Sequence, residues 1–394
     1  MKRLKLSLAI LFGCCLFLGA TSKWRVSGNV RDMFTYLDME SPSGFTYLPN
    51  STNYNLLASR LDLKYRPFKG LEFQVSMRHR IYQGDVLFVY PNLAESMNHD
   101  AGYLDLTTLC FSSSEAFWLA SLDRLKVYYH YKNIELTLGR QRINWGMNLV
   151  WNPNDVFNTF SLMEVDYLQR PGCDALLVSY YPSSYNQIDL AASLDHEHEA
   201  KIMGRGRFNL GLWDVQVIGG YAYRAGLLGG GFSTSVGSVS VRGEVMGGVS
   251  PEGFSFDDEL NYTMTASLGL DYYCPNQLHL HTAFLYNDHS TSTASPFMNL
   301  FEVSSNYNAL NLSYGDYEWF GEVSYPVSPI LTLQALCLVN LEDGSSYVSP
   351  NAVFSLMNNL DLTLLGQALL GQTGGEYTPI GQTYIGACRL CYSF

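Results

Sequence analysis

Apolar and polar side chains alternate along most of this chain, in segments of about ten residues separated by turns. The segment Tyr54–Arg66 is an example, with an apolar face and an opposite face that carries Arg60, Asp62 and Lys64. A period of two is typical of strands that separate an apolar side from a polar one. We therefore predict an all-β chain of about 18 antiparallel strands. Sixteen is the alternative count, because the segment near Leu227 has a weak pattern.

The connections between these segments alternate in length. Short turns follow the even-numbered segments and longer loops follow the odd-numbered ones, with short exceptions near Glu197, Gly226 and Asp343. This arrangement is typical of a transmembrane β-barrel, whose short turns face the periplasm and whose loops face outward. The longest insertion is predicted over Tyr82–Ser121, with a short helix near Glu115–Leu122.

Composition supports a barrel wall rather than a set of soluble domains. The chain has 28 Tyr, 21 Phe and 34 Gly, and only 15% of its residues are charged. Its mean hydropathy is −0.02, because the apolar residues of a lipid-facing surface and the polar residues of a water-facing surface cancel in the average. A soluble secreted β-protein is the alternative, but it would leave the outward aromatic stripes without a partner.

The N-terminus has the features of an export signal. A basic start is followed by the apolar run Leu6–Leu18 and by small residues at Ala20 and Ser22. Lipoprotein processing at Cys14 is the alternative to cleavage after the small residues. We predict a signal peptide over residues 1–22 and a single barrel over residues 23–394. The remaining chain has no apolar run near the ~20 residues of a spanning helix, so a membrane location requires a barrel.

The last predicted strand ends on an aromatic residue behind alternating apolar positions. One face carries Tyr384, Gly386, Cys388, Leu390, Tyr392 and Phe394. This pattern resembles the insertion signal of bacterial outer-membrane barrels, which implies recognition of Phe394 by the barrel-assembly machinery. The expected location is the bacterial outer membrane, with its lipid as the surrounding partner.

Charges are segregated, although the chain is acidic overall, with 24 Lys+Arg against 36 Asp+Glu. The acids concentrate in the predicted loops. The predicted water-facing side carries the bases, namely Arg60, Lys64, Arg78, Arg80, Lys126, Arg140, Arg142, Lys201, Arg205, Arg207 and Arg242. A lumen lined by charges of one sign favours solutes of the opposite charge. The alternative is that these bases pair with lumen acids, for which the candidates are Asp62, Glu72, Glu135 and Glu244.

Alternation stops at Gly139, where Arg140 and Arg142 lead into a long loop that ends near Pro171. Two short patches resemble porin-like barrels, a group that includes the alginate-export type. The first is Gly139-Arg140-Gln141-Arg142 with Trp145-Gly146 and Trp151-Asn152-Pro153-x-Asp155, and the second is Gly230-Gly231-Phe232 with Val241-Arg242-Gly243-Glu244. The resemblance implies that Arg140 and Arg142 line a constriction. It also implies that the loop narrows this constriction with Trp145, Trp151, Asn152 and Asp155. Alternatively, the two tryptophans belong to an interfacial aromatic girdle.

Evidence for catalysis or for a resident cofactor is weak. His279 and His281 share one strand face and could chelate a metal, but no third ligand is apparent, so lumen or interfacial histidines are the better interpretation. A disulfide between Cys110 and Cys173 is left open. We predict no enzyme activity, cofactor or nucleic-acid partner. The expected function is a passive channel for a small anionic solute or an anionic polysaccharide. The alternative is a non-conducting structural, adhesive or assembly-related barrel plugged by Tyr82–Ser121.

Overall fold

In the computed structural model the described residues are 23–39, 50–158, 172–250, 262–288, 308–379 and 381–394. The predicted signal peptide therefore lies outside the described residues. These ranges contain nineteen strands and two short helices. The strands are β1 Trp24–Met39, β2 Ser51–Tyr65, β3 Leu71–Gln83, β4 Thr107–Ser112, β5 Ala116–Tyr131, β6 Ile134–Gln141, β7 Cys173–Tyr180, β8 Gln187–Leu194, β9 Ala200–Leu210, β10 Trp213–Ala222, β11 Ala225–Val236, β12 Val239–Val249, β13 Tyr262–Tyr273, β14 His279–Asn287, β15 Tyr317–Ser328, β16 Leu331–Asn340, β17 Ser346–Met357, β18 Leu360–Leu370 and β19 Thr383–Ser393; the helices are α1 Val86–Val89 and α2 Leu93–Ser96.

The sheet closes on itself. β1 pairs antiparallel with both β2 and β19, and each following wall strand pairs with its neighbours in the chain. β4 pairs only with β5 and belongs to the insertion after β3, so eighteen of the nineteen strands form the wall. Closure leaves no open edge in the wall, which a strand structure in lipid requires. The predicted all-β barrel of 18 strands is confirmed, and the weak segment near Leu227 lies in β11.

The wall has an apolar outer face and a largely polar inner face. Large side chains such as Leu138, Leu190 and Phe284 are exposed on the outside, as expected where the neighbouring solvent is lipid. Aromatic residues such as Trp24 and Tyr131 stand at strand ends, where amphipathic rings favour the interface. No helix among the described residues has the length and apolarity needed to cross a membrane.

The insertion is shorter than the sequence predicts. β3 continues to Gln83 and β5 begins at Ala116, so the predicted helix over Glu115–Leu122 is wrong. Phe117 and Leu119 point inward and are buried, and the Phe117 ring stacks on Tyr82 with centroids 4.8 Å apart. The backbone of this segment is bonded to β3 on one side and β4 on the other, which satisfies its polar groups as wall strand.

The helical part of the insertion packs into the barrel. Val86, Leu87, Leu93 and Met97 are buried together with inward-facing side chains of several wall strands, among them Met33, Leu37, Tyr54, Leu56, Leu285, Phe320, Leu338, Tyr347, Leu369 and Ile385. Full burial of such a side chain is worth about 1.5–3 kcal/mol. The outer part of the lumen is therefore lined and partly filled by an apolar cluster.

Cys110 and Cys173 do not pair. Both are free thiols, Cys110 exposed and Cys173 half-buried. The loop–loop disulfide left open by the sequence is thus absent from the described residues.

Candidate functional site

Gly139 determines where the wall changes direction. Its φ is +110°, a conformation that favours glycine, and a Cβ there would overlap the carbonyl oxygen of Leu125. β6 ends two residues later at Gln141, having paired with β5 only over Leu125–Tyr131. β4 pairs with the upper part of β5 instead. Because β4 replaces β6 as the partner of upper β5, the chain after β6 can leave the wall.

The freed segment crosses the lumen, and we call residues 143–158 the crossing loop. Glu244 of β12 is its main anchor. The N–H groups of Met147 and Asn148 both donate to Glu244 Oε1, the latter at 2.6 Å, and the N–H of Asn154 donates to Oε2 at 3.0 Å. The Asn154 side chain also donates to the carbonyl of Gly230 at 2.8 Å. The two sequence patches that carry the resemblance are therefore hydrogen-bonded to each other.

Further contacts extend the crossing loop to the far wall. The Ser267 hydroxyl of β13 donates to the Trp151 carbonyl at 2.9 Å, and Asn148 Nδ2 donates to Ser267 Oγ at 3.0 Å. The Trp151 ring meets Phe320 of β15 edge-on, with centroids 6.3 Å apart. Starting from β6, the loop thus reaches β15, on the opposite side of an eighteen-stranded wall.

Both tryptophans lie inside the barrel. Trp145 is 3% and Trp151 5% exposed, so neither lies on the outer face where a girdle would be. Trp145 packs edge-on against Phe157 at 5.2 Å, and the Arg205 guanidinium lies 5.3 Å from its ring centroid. Gln216 Nε2 donates to the Trp145 carbonyl at 2.8 Å. Through their rings and the Trp145 carbonyl, the two tryptophans therefore hold the crossing loop against β9, β10 and β15.

Asn152 and Asp155 form part of the turn within the crossing loop. The Asp155 N–H donates to the Asn152 carbonyl at 3.0 Å, and Asn152 Nδ2 donates to the Val150 carbonyl at 3.1 Å. Both side chains are buried. Of the four residues predicted to narrow the channel, all lie in the crossing loop, and these two act through its conformation.

Arg140 does not have the open, lumen-lining position expected of it. Its guanidinium is 5% exposed and binds Asp174 through Nε at 2.9 Å and Nη2 at 2.7 Å. Nη1 binds Asp100 at 2.7 Å, and Nη2 also donates to the Leu104 carbonyl at 2.5 Å. Because Asp100 and Leu104 belong to the insertion, Arg140 fastens the insertion to the wall.

The contact with Arg140 lowers the pKa of Asp100 in the insertion. Burial alone would raise the pKa of Asp100, but hydrogen bonds from Arg140 and from the Gly102 and Leu106 amides, together with the Arg140 charge, outweigh burial and hold the pKa below its ordinary value. Asp100 therefore remains ionised and bound to Arg140 well into the acidic range.

Arg142, in contrast, is exposed at the root of the crossing loop. Arg124 lies within electrostatic range of Arg142 and Arg60, and Lys126 lies within range of Lys64 and Arg124. The structure thus brings five cations together on β2, β5 and the end of β6. We call Arg60, Lys64, Arg124, Lys126 and Arg142 the basic cluster.

Many of the predicted lumen bases are paired with acids. Arg60 binds Asp62 and Asp123, Lys64 binds Glu72, Arg205 binds Asp189, and Arg242 binds Asp271. Asp62 and Glu72 therefore pair with lumen bases, as the alternative interpretation predicts. Glu244 instead binds backbone amides, and Glu135 accepts a hydrogen bond from the Tyr181 hydroxyl at 3.1 Å. Arg78 and Arg80 lie on β3, Arg207 is exposed on β9, and Lys201 donates to the Val156 carbonyl at 3.4 Å. Within the described part of the chain, Arg142, Lys126 and Arg207 form no ion pair.

Two features of the site escape the alternation pattern. A β-bulge at Asp123, where Ser76 pairs with Arg124 and Met77 with Leu122, directs two consecutive polar side chains into the interior. The predicted set of lumen bases does not include Arg124, although it shares a face with Lys126; the adjacent Asp-Arg pair within an apolar strand is the signal for the bulge. The role of Glu244 was also missed, because a single inward acid does not reveal which backbone amides it will meet.

His279 and His281 are held by acids of the wall. His279 Nε2 lies 3.2 Å from Asp271 Oδ1, and His281 Nδ1 lies 4.0 Å from Glu322 Oε2. The described residues contain no group of three or more His, Cys, Asp or Glu side chains that could hold a metal ion. These two histidines therefore lie beside acids of the wall, one of which, Asp271, also binds Arg242.

Comparisons with known proteins identify the fold. No family model matches the chain, and no curated relative matches it. Among solved structures, Pseudomonas aeruginosa OccK11 (OpdR) matches over 94% of this chain and 96% of its own, with a TM-score of 0.57 and 11% identity. P. aeruginosa OccK5 (OpdH) matches over 95% and 98%, with a TM-score of 0.56 and 11% identity. Acinetobacter baumannii OccAB3 matches over 95% and 100%, with a TM-score of 0.57 and 9% identity.

These matches extend over nearly the whole chain at very low identity, so the architecture is shared while the residues of the site are not implied. The apolar outer face and the closed eighteen-stranded wall agree with the bacterial outer-membrane location expected from the sequence. The chain therefore has the closed β-barrel fold of these porin-like structures.

Proposed function

We propose that the protein is a passive outer-membrane channel whose narrowest part is formed by the crossing loop and flanked by the basic cluster. The observation that carries this proposal is the docking of residues 143–158 across the lumen, from β6 to Glu244, Ser267 and Phe320. A loop held at both walls narrows a passage without requiring energy or a moving part. Its rigid attachment suits selection by size and charge.

The basic cluster favours an anionic solute, either a small anion or an extended acidic polysaccharide chain. A cation about 5 Å from a passing anion stabilises it by roughly 1–3 kcal/mol, between the limits of bulk water and of a protein surface. Arg142 and Lys126 are the strongest contributors, because neither forms an ion pair with an acid among the described residues. The paired arginines contribute less, since a nearby carboxylate cancels most of their field.

Reversal potentials in planar bilayers test this selectivity. In a salt gradient the refolded protein is expected to prefer anions, and the double variant Arg142→Ala with Lys126→Ala is expected to lose most of that preference. Lys69→Ala is the control for each single variant, Arg142→Ala and Lys126→Ala, because it removes one charge from an exposed turn and should leave the reversal potential unchanged. Cation preference of the unmodified protein would contradict the proposed anion selectivity.

A non-conducting barrel is the second candidate, and one observation favours it. The insertion buries Val86, Leu87, Leu93 and Met97 inside the outer part of the barrel, where they occupy space that a solute would need. Single-channel recording separates the two functions. Steps of conductance from the unmodified protein support the channel, whereas a silent barrel that conducts only after deletion of the helical residues 86–97 would support the plug.

A further inference from the structure

Two histidines from distant parts of the chain meet at the outer end of the barrel. His99 belongs to the insertion and lies just after α2, and His196 belongs to the turn between β8 and β9. Their ring centroids are 4.5 Å apart with the planes at 87°. Both rings are exposed to solvent, so a small ion from outside can reach them.

The backbone around this pair holds the two rings in place. Gly102 forms a β-bridge with Asp195, and the His196 N–H donates to the Ala101 carbonyl at 3.3 Å. The Asp195 carboxylate accepts from the amides of Glu197 at 3.0 Å and Glu199 at 2.9 Å, which closes the turn that carries His196.

The insertion side is equally well fixed. Asp100, the residue next to His99, is bound to Arg140 at 2.7 Å. Both imidazoles therefore project from segments whose backbones are tied to the wall. Little ordering is left for a ligand to bring about when it binds between them.

We propose that His99 and His196 form a binding site for a divalent transition-metal ion such as Zn²⁺, and that the bound ion fastens the insertion to the β8–β9 turn. Tetrahedral Zn²⁺ with nitrogen ligands at about 2.0–2.1 Å needs its two nitrogens about 3.3 Å apart. Two rings with centroids 4.5 Å apart reach that separation by rotation of their side chains alone.

The remaining positions of the ion are left to a carboxylate and water. Glu197 Oε1 lies 3.8 Å from His196 Nε2, and this exposed side chain can turn toward a shared ion. No set of three such protein ligands is preassembled within the described ranges, so the site is open and of modest affinity. Imidazole nitrogens select Zn²⁺, Ni²⁺ or Cu²⁺ over Ca²⁺ and Mg²⁺, which prefer oxygen.

His198 provides a matched control within the same turn. It is also exposed, but its ring meets Tyr103 edge-on at 5.5 Å instead of a second imidazole. Loss of His198 removes one histidine from the same surface without removing a ligand of the proposed site.

Calorimetric titration of the full-length protein in detergent, without a polyhistidine tag, tests the proposal with ZnCl₂ as the probe. We expect one Zn²⁺ site, whose affinity falls in both His99→Ala and His196→Ala. The fall should be at least roughly 10–100-fold, because losing even a residue that only hydrogen-bonds to a metal ligand costs that much affinity. His198→Ala and a large excess of Mg²⁺ should leave the affinity unchanged.

The absorption spectrum of added Co²⁺ provides a second measurement on the same variants, because its visible bands report the nitrogen ligands directly. Loss of these bands in His99→Ala and His196→Ala, and their retention in His198→Ala, supports the site. Zn²⁺ binding that survives in both ligand variants, or that is lost equally in His198→Ala, would overturn it.

Discussion

Glu244 is the residue on which the position of the crossing loop depends most directly. One buried carboxylate accepts three backbone N–H groups, from Met147, Asn148 and Asn154. Replacement by alanine leaves these three donors without their acceptor, and each unsatisfied buried donor costs about 1–3 kcal/mol. The docked position of the crossing loop should therefore be destabilised by on the order of 3–9 kcal/mol. Water molecules that enter the gap and accept from the freed N–H groups reduce this loss.

A penalty of this size should release the loop without opening the wall, because the strand pairing of β12 with β11 and β13 is independent of the Glu244 side chain. In single-channel recordings, Glu244→Ala should show larger and noisier conductance than the unmodified protein. Limited proteolysis from outside should cleave within residues 143–158 of the variant. Glu244→Gln, which keeps one acceptor oxygen, should give an intermediate effect.

Glu322→Gln is the matched control, since this inward carboxylate of β15 accepts from Gln334 at 2.9 Å and is bonded to the wall instead of the crossing loop. Heat-modified mobility on gels would verify that every variant forms a barrel. Unchanged conductance and unchanged protease resistance in Glu244→Ala would refute the conclusion that this carboxylate holds the loop.

Three further predictions concern the root of the crossing loop. Arg140→Ala should detach the insertion and destabilise the barrel by about 3–5 kcal/mol, because Asp100 and Asp174 are left buried without their cation; denaturant unfolding would measure this, and a loss below 1 kcal/mol would contradict it. Folding lowers the pKa of Asp100. Its ion pair with Arg140 therefore stabilises the insertion at every pH above the ordinary pKa of Asp, and this stabilisation is lost only as the pH falls through the lower pKa of the folded state. Hydrogen exchange at residues 101–104, corrected for intrinsic rates, should therefore stay slow from pH 8 to about 5 and rise only below about 4, and loosening near pH 6 would contradict this assignment. Gly139→Ala should lower the midpoint of thermal unfolding by the equivalent of about 1–3 kcal/mol because of its positive φ, and an unchanged midpoint would show that the strand can relax there.

Some details of the wall required knowledge of strand pairing. The alternation of side chains breaks where Asp123 forms a bulge, so the inward face read from Phe117 and Leu119 does not continue to Arg124 and Lys126. The segment around Phe117 and Trp118 is apolar at consecutive positions, and only its hydrogen bonds to β3 and β4 distinguish a strand from a helix. Local patterns cannot contain this information, because the partner strands are elsewhere in the chain.

The sequence by itself determined the membrane barrel, its approximate strand count and the place where the wall is interrupted. These follow from local physics, since a wall between lipid and water must alternate apolar and polar side chains along every strand. Only the tertiary structure decided what the interrupted stretch does. Arg140 and Arg142 are two residues apart and look equivalent in the sequence, yet one is buried between Asp100 and Asp174 and the other is exposed. The crossing loop owes its position to Glu244, some ninety residues further along the chain, and a contact over that separation exists only once the barrel has closed.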